Sequence, residues 1–348
     1  MRAMVVRRYG PPEVFESREV PEPHPAPGEV LIRVKTVGIN FADLFQRMGL
    51  YPGTPRPPFT PGLEIAGIIE SVPSDLPHPT SDLEPGAPVV AMVAFNAYAE
   101  RVAAPAAQVF RVPDGTPFED AAAIPVNYLT AYHSMFHMGN LQPGDRILIH
   151  GAAGGVGIAA VQLARTRRLV IFGTAGPTKQ DFLRRMGVDH PIDYTREDFT
   201  QVVRRAAPEG VEMVMDPIGG KSFAKSYDCL GATGRLVAYG FSAAAGPEGA
   251  SRTSPSSLWR GLRALAQTPR FNPLRLMREN TAVIGVHLGR MKGREGLLRS
   301  QLEEIFRLYT AGQIKPVIGK TFPLEQAADA HRYIHARQNI GKVVLNVA

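Results

Sequence analysis

Cysteine and tryptophan are almost missing from this 348-residue sequence, which has one of each. A lone Cys229 excludes a disulfide framework and a metal site built from several cysteines. Long hydrophobic runs are missing as well, because no apolar stretch approaches the roughly 18 to 20 residues that a membrane span needs. The first residues lack an apolar signal segment. We therefore expect a cytoplasmic protein without stable membrane insertion.

Acidic residues are outnumbered by basic ones, 32 to 39, which gives a formal net charge of +7. A basic balance can indicate nucleic-acid binding, but no helix-turn-helix, zinc or stacking-aromatic motif accompanies it. A cofactor with several phosphates explains part of the excess of basic residues with fewer assumptions. We predict no nucleic-acid partner.

The most informative stretch runs from Arg146 to Arg165. A short apolar strand, Ile147 to His150, leads into the glycine turn 151–157 and then into apolar residues at helical spacing. Strand, glycine turn and helix in that order are the context of a dinucleotide-binding loop. We expect Gly154 to take a conformation that a side chain would forbid, and the helix N-terminus to face the phosphates. A plain strand-to-helix turn is the alternative. The predicted phosphate-binding residues are Gly154, Gly155, Val156 and Gly157.

The chain changes character near Ala121. Before it, strands are separated by proline-rich connections; the predicted strands are Val5–Val6, Val30–Val34, Glu64–Ile69 and Val89–Val93. After it, strands and helices alternate, which indicates a parallel sheet with crossover helices; the predicted strands are Ile147–His150, Leu169–Thr174, Val211–Met215, Arg235–Gly240 and Ala282–Leu288. The last 48 residues predict a helix around Leu302–Tyr309, a second over Leu324–Ala336, and a strand Lys342–Leu345. The fold class is α/β.

An unusually long segment, 241–280, separates the last two strands of the predicted parallel sheet. Its later part interleaves Leu258, Trp259 and Leu262 with arginines. Such a basic amphipathic stretch fits a lid over a pocket, a subunit contact or a membrane-surface element.

A short helix is predicted to begin at or near Asn40, with Asp43 in its first turn. A helix cap and a first-turn acid explain these two residues as well as a functional role does.

The end of the second strand of the parallel sheet bears on the choice of nucleotide. An NAD-selecting acid is expected about 20 residues after the glycine loop, but residues 172–176 read Phe-Gly-Thr-Ala-Gly. Lys179 and Tyr194 can donate to a 2′-phosphate, although a lysine on a helix face is often only solvated. We predict NADPH as the cofactor, with Thr174, Gly176, Lys179 and Tyr194 around its adenosine ribose.

Several motifs together resemble the zinc-free medium-chain dehydrogenase/reductases of the quinone oxidoreductase family. They are Asn40-Phe41-Ala42-Asp43, Gly49-Leu50-Tyr51-Pro52, residues 61–67, residues 152–157 and Asn339-Ile340-Gly341-Lys342-Val343. Residues 126–132, 172–175, 190–194, 215–220 and 285–289 are most similar to the synaptic-vesicle membrane protein branch of that family.

The resemblance implies a GroES-like β-rich catalytic domain, residues 1–123 and 288–348, interrupted by a Rossmann doubly wound parallel-sheet domain, residues 124–287. It also implies a homodimer that pairs through edge strands; the apolar strand Ala282–Leu288 would be such an edge. Further cofactor contacts follow from the matched motifs, at Phe45, Thr130, Gly240, Phe241, Val286, His287, Leu288 and Asn339.

Zinc relatives carry Gly-His-Glu where this chain has Gly62-Leu63-Glu64, and cysteines that this chain lacks. A catalytic zinc needs several such ligands at once. We therefore predict no metal, and a structural role for Glu64 at the start of a strand.

Chemistry without zinc must use hydrogen bonds to the oxygen on which charge develops during hydride transfer. The resemblance places the Asn40 amide and the Tyr51 hydroxyl at the nicotinamide side of the cleft, with Asp43 orienting them. Many relatives carry a tyrosine where this chain has Phe45, which cannot donate a hydrogen bond. More of the stabilisation of the substrate oxygen is therefore expected from Tyr51.

These residues predict NADPH-dependent reduction of a quinone or an α,β-unsaturated carbonyl. An enoyl or alkenal reductase needs the same hydride geometry and stays open. A non-catalytic NADPH-binding interaction module, with the segment around Trp259 as its contact, is the alternative from another class.

Overall fold

A computed structural model describes residues 1–73, 83–245, 255–291 and 293–348, and of Ser256 only the backbone. The first, small and polar part of the predicted segment 241–280 therefore lies partly outside the described residues. No described helix is both long and apolar enough to cross a membrane. The cytoplasmic location stays a prediction.

The first third of the chain builds most of a mixed sheet. Its strands are β1 (Arg2–Val6), β2 (Phe15–Glu19), β3 (Glu29–Ile39), β4 (Glu64–Ser71), β5 (Pro88–Met92), β6 (Arg101–Pro105) and β7 (Val109–Arg111), with α1 (Phe41–Met48), α2 (Phe118–Ala123) and α3 (Pro125–Tyr132) between and after them. β1 and β2 form a separate antiparallel pair. Burial alternates along β3 as far as Val34 and is then continuous to Ile39, where α2 packs against the sheet.

The middle of the chain builds a six-stranded, all-parallel sheet in the order β10-β9-β8-β11-β12-β13. Its elements are β8 (Arg146–His150), α4 (Gly155–Thr166), β9 (Val170–Ala175), α5 (Gln180–Arg185), β10 (His190–Asp193), α6 (Phe199–Ala206), β11 (Val211–Asp216), α7 (Lys221–Tyr227), β12 (Leu230–Ala238), α8 (Pro255–Ala266), α9 (Pro273–Glu279) and β13 (Ala282–Gly285). Successive residues of β8 enter different clusters: Ile147 and Ile149 pack on one face of the sheet and Leu148 on the other. Helices on both faces bury these apolar strands completely.

The end of the chain returns to the first sheet through α10 (Glu295–Thr310), β14 (Ile318–Pro323), α11 (Ala327–His335) and β15 (Lys342–Asn346). β15 pairs with β3, and β14 with β15, so that the larger sheet has the order β14-β15-β3-β4-β5-β7 with β6 against β3. Leu302 and Ile305 of α10 pack in the same apolar cluster as Ala159 and Ala160 of α4. Residue boundaries for the two domains stay a prediction.

The α/β fold class, with a GroES-like β-rich part and a Rossmann parallel sheet, is confirmed. Two strand limits were too long. The strand predicted over Ala282–Leu288 ends at Gly285, because a 3-10 turn begins at Leu288, and the one predicted to Gly240 ends at Ala238.

Candidate functional site

The glycine loop joins β8 to α4 and leaves the start of the helix partly open to solvent. α4 begins at Gly155, with Gly154 as the residue before it. The first N–H groups of a helix have no acceptor inside it, and the helix dipole adds a positive end. An anionic diphosphate fits such a terminus.

One expectation about this loop was wrong. Gly154 has φ −85° and ψ 178°, an extended conformation open to any residue; the left-handed glycine is Gly151, with φ +65°. The glycines of this loop matter instead because they let neighbouring groups come close to the backbone. A Cβ at Gly157 would lie 2.2 Å from the Gly151 carbonyl oxygen, and one at Gly155 would lie 2.5 Å from the Asn127 amide nitrogen. Asn127 is a buried neighbour of the loop that the sequence analysis missed.

The residues predicted around the 2′-phosphate come together at the end of β9. The Lys179 ammonium donates to the Asn339 carbonyl oxygen at 2.5 Å, and a Cβ placed on Gly176 would lie 3.8 Å from the Tyr194 hydroxyl. Burial, and then Arg337, lowers the pKa of Lys179. Lys179 is therefore not simply a solvated helix residue: it is half-buried against the segment before β15.

Thr174 belongs to a buried polar chain that crosses the sheet ends. His150 Nδ1 lies 3.1 Å from the Thr174 hydroxyl, and its Nε2 lies 3.0 Å from the Ser226 hydroxyl. Ser226 in turn donates to Asp216 at 2.7 Å. Burial lowers the pKa of His150, against the opposing effect of Asp216. This series of hydrogen bonds holds the ends of β8, β9 and β11 together beneath the glycine loop.

A cavity of about 540 Å³ opens at the carboxyl ends of β12 and β13. In parallel α/β sheets this is the edge at which ligands bind. Three of the predicted cofactor residues line it, together with seven residues that the sequence analysis did not predict as cofactor contacts. The lining includes Gly240, Val286, His287, His133 and Arg290.

The remaining predicted cofactor residues are placed differently. Phe241 packs against Phe223 and Gly219, and Phe45 packs edge-on against Phe41 inside the β-rich part. Thr130 is buried in α3, and Leu288 packs against the cluster that contains α3 and α4. None of these four residues lines the cavity as it stands.

Tyr51 approaches the cavity from the other part of the chain. Its hydroxyl lies 3.4 Å from His287 Nε2, and the two rings are 5.8 Å apart. Burial raises the pKa of Tyr51, Asp43 raises it further, and Arg290 lowers it. The phenol is therefore protonated at neutral pH and is able to donate.

Asn40 stands at the centre of a buried ion-pair network. Its amide donates to Glu64 at 2.8 Å and to the Gly38 carbonyl at 3.3 Å, and its amide oxygen accepts from the Lys342 ammonium at 2.8 Å. Lys342 and Glu64 also bond each other directly, with 3 % and 0 % of their side chains exposed. Both amide hydrogens of Asn40 are thus used inside the protein.

Glu64 fits the structural role predicted for it. Besides Asn40 and Lys342, its carboxylate accepts the Val126 N–H at 2.8 Å. It thereby ties the start of β4 to the first turn of α3 and to the start of β15.

Asp43 extends the network on its other side. Its carboxylate accepts from the Asn40 N–H at 2.9 Å and from the Tyr98 hydroxyl at 3.1 Å, and that hydroxyl also lies 2.9 Å from His331 Nε2. Complete burial raises the pKa of Asp43 to about 7, although the Asn40 N–H and then Lys342 oppose the shift. Asp43 holds the backbone of Asn40, whereas the Tyr51 hydroxyl faces His287.

The segment 339–342 connects the two halves of the site. The Gly341 N–H donates to the Ala153 carbonyl of the glycine loop at 2.9 Å, one residue before Lys342 reaches Asn40 and two residues after Asn339 accepts from Lys179. Among the described residues, no group of three or more His, Cys, Asp or Glu side chains could hold a metal ion.

Comparisons with known proteins agree with this architecture. Residues 26–114 match the model of the alcohol dehydrogenase GroES-like domain, and residues 186–345 match that of the zinc-binding dehydrogenase. The human quinone oxidoreductase is 30 % identical over 99 % of this chain and 97 % of its own length. The solved structure of the Escherichia coli quinone oxidoreductase complexed with NADPH is 28 % identical, covers 99 % of this chain and 100 % of that chain, and has a TM-score of 0.86.

The chain belongs to the medium-chain dehydrogenase/reductase family that includes the quinone oxidoreductases. Within it, the human synaptic vesicle membrane protein VAT-1 homolog is 40 % identical over 99 % of this chain and 86 % of its own length. The family predicted from the motifs is confirmed, and the predicted cofactor agrees with the NADPH complex of the bacterial relative.

Proposed function

We propose that this protein is an NADPH-dependent oxidoreductase that reduces a quinone or an α,β-unsaturated carbonyl without zinc. The observation that carries the proposal is the Tyr51 hydroxyl at the rim of the cavity, 3.4 Å from the lining residue His287. At this rim, a hydrogen-bond donor from the β-rich part of the chain faces the strand ends of the parallel sheet.

The residues present suit NADPH. The open N-terminus of α4, from Gly155 to Gly157, would hold the diphosphate, and Lys179 with Tyr194 would hold the 2′-phosphate. Gly240 and Val286 would border the nicotinamide. When bound, NADPH supplies a hydride.

The protein's own contribution is a hydrogen bond to the substrate oxygen. Negative charge develops on that oxygen as the hydride arrives, and a fixed donor stabilises the charged transition state more than the ground state. Tyr51 is that donor. Asn40 acts behind it as a positioning residue, since both of its amide hydrogens are engaged with Glu64 and Gly38.

A panel of quinones and enones tests this function through the loss of NADPH absorbance. We expect at least one of the two classes to be reduced in the presence of chelator and by protein without stoichiometric zinc. Activity that requires one zinc per chain would contradict the metal-free mechanism, and no turnover with either class would contradict the function.

A specific observation favours a second candidate function, the NADPH-binding interaction module. Trp259 of α8 is 75 % exposed and Met277 of α9 is 73 % exposed. Four further apolar side chains on these two helices are exposed: Leu258, Leu262, Leu265 and Leu274. An apolar surface beside several arginines suits a macromolecular contact, so failure of the substrate panel would favour this role.

We also propose a homodimer. β13 is the last strand of the six-stranded sheet, and a strand with one free edge can pair with the same strand of a second copy.

A further inference from the structure

Reduction of a quinone or an α,β-unsaturated carbonyl consumes a proton as well as a hydride. Few of the donors expected from the motif resemblance are available in this chain. Phe45 carries no donor, and the Asn40 amide spends both hydrogens on Gly38 and Glu64. The Tyr51 hydroxyl has a single proton to give, and burial opposes the charged phenolate that would remain.

His287 is placed to replace that proton. Its Nε2 lies 3.4 Å from the Tyr51 hydroxyl, and its side chain both lines the cavity and reaches solvent. Catalytic hydrogen bonds are often long before substrate binds. The imidazole is thus in contact with the donor on one side and with a source of protons on the other.

We propose that His287 is the proton source for Tyr51, so that the two side chains form a relay from solvent to the substrate oxygen. This inference rests on the proposed function. It gives His287 a role in proton transfer in place of the cofactor contact that the motif resemblance implies.

The relay balances as follows. The conjugated carbonyl system of the substrate accepts a hydride, which brings two electrons, and the oxygen on which charge develops takes the Tyr51 proton. The His287 Nε2–H bond breaks as the Tyr51 O–H bond reforms, and solvent protonates the other ring nitrogen in the same step, so that the imidazole stays neutral. NADPH is oxidised by two electrons and the substrate is reduced by two.

Three other ionisable groups bear on the pair. Arg290 lies on the same turn as His287 and lowers the pKa of Tyr51, Asp43 raises it from α1, and His133 lines the same cavity from the end of α3. Asp43 has a pKa of about 7.

The test compares wild type with His287→Gln, Tyr51→Phe and the double variant, using the best substrate of the panel. Glutamine keeps a hydrogen-bonding side chain, but unlike imidazole it cannot release one proton and take up another. We expect kcat to fall on the order of 10- to 100-fold in His287→Gln, at or below the lower end of what general acid catalysis contributes. The double variant should be no slower than Tyr51→Phe alone, because His287 acts only through the Tyr51 hydroxyl.

Affinity for NADPH, measured by fluorescence titration, is the readout that does not depend on turnover. The relay predicts the same NADPH affinity in His287→Gln as in wild type. His24→Gln, an exposed histidine of the proline-rich connection before β3, is the matched control and should behave as wild type throughout.

Each failure has its own signature. Weaker NADPH binding with an unchanged kcat would make His287 a cofactor contact and overturn the relay. A double variant slower than Tyr51→Phe would show that His287 acts independently of Tyr51 and would also overturn the relay. No turnover by wild type with any substrate would overturn the proposed function and the relay together.

Discussion

Lys342 and Glu64 form an ion pair with almost no access to water, and Asn40 hydrogen-bonds both of them. Taking charges out of water is costly, and only the partner and the surrounding hydrogen bonds offset that cost. Removing one member leaves the other charge buried alone.

We expect Lys342→Met to destabilise the protein by about 3 to 5 kcal/mol, because the Glu64 carboxylate loses its counter-charge. Urea unfolding followed by circular dichroism measures the change. Lys221→Met, at an exposed position on α7, is the control. The double variant Lys342→Met/Glu64→Gln should recover part of the loss; if it is less stable than Lys342→Met, the ion-pair explanation fails.

Asp43 predicts a pH dependence of stability. Its pKa is about 7 in the folded protein and about 3.9 in an unfolded chain. Below pH 4 both states hold the proton. Between about pH 4 and pH 7 the unfolded state loses its proton while the folded state keeps it, so stability falls as pH rises through this window and levels off above it.

Asp43→Asn should flatten this part of the curve of urea midpoint against pH, because the amide cannot ionise. It keeps an oxygen that can accept from the Asn40 N–H. An unchanged slope in Asp43→Asn between pH 4 and pH 7 would show that another group is responsible.

Sequence reasoning found Asn40, Asp43 and Tyr51 through their motifs but missed the partners that define their roles. Lys342 is 278 residues away from Glu64 along the chain, and His331 is 233 residues away from Tyr98. Local patterns carry no information about such contacts. The donor capacity of Asn40 could be assessed only once its three partners were known.

At the scale of elements, prediction was most successful where strands are buried on both faces. β8 and β11 are mostly apolar, although Glu212 interrupts β11, and their limits were nearly correct. β10 begins with His190 and Pro191, and β6 and β7 are short and partly exposed. These strands form because a neighbouring strand is already in place, which their own residues do not indicate.

The turn after β9 predicts the nucleotide preference. Lys179→Ala should weaken NADPH binding by about 1.5 to 3 kcal/mol, the value of one charge-assisted hydrogen bond, and should leave NADH binding nearly unchanged. Titration with both nucleotides measures the difference, with Lys221→Ala as the control. Equal weakening of the two would mean that Lys179 supports the Asn339 segment and does not bind the 2′-phosphate.

The free edge of β13 predicts the oligomeric state. A Cβ at Gly285 would meet nothing within 4 Å, so Gly285→Lys should fold as wild type. In a two-fold symmetric strand pair it brings like charges together. We expect wild type to sediment as a dimer at micromolar concentration and Gly285→Lys to shift toward monomer. Gly296→Lys, equally open on α10, should remain dimeric; a monomeric wild type would contradict the edge-pairing model.

At the scale of the whole molecule, the site exists only because the two sheets meet. β15 belongs to the β-rich sheet, yet the residue before it bonds the glycine loop of the Rossmann sheet. The same segment holds Lys179 on one side and Asn40 on the other. Lys179, proposed to bind the 2′-phosphate, and Asn40, proposed as a positioning residue, are therefore tied to one connection, as expected if the distance between hydride and substrate oxygen must be fixed.

The central claim is that Tyr51 stabilises the oxygen that receives charge during hydride transfer. Single-turnover oxidation of bound NADPH by the best substrate, in wild type and Tyr51→Phe, tests this claim most directly. Removing the hydroxyl keeps the ring, so NADPH affinity and the urea midpoint should be unchanged while hydride transfer slows roughly 10- to 1000-fold, the loss expected for one stabilising donor. A Tyr51→Phe protein that transfers hydride at the wild-type rate would contradict the account.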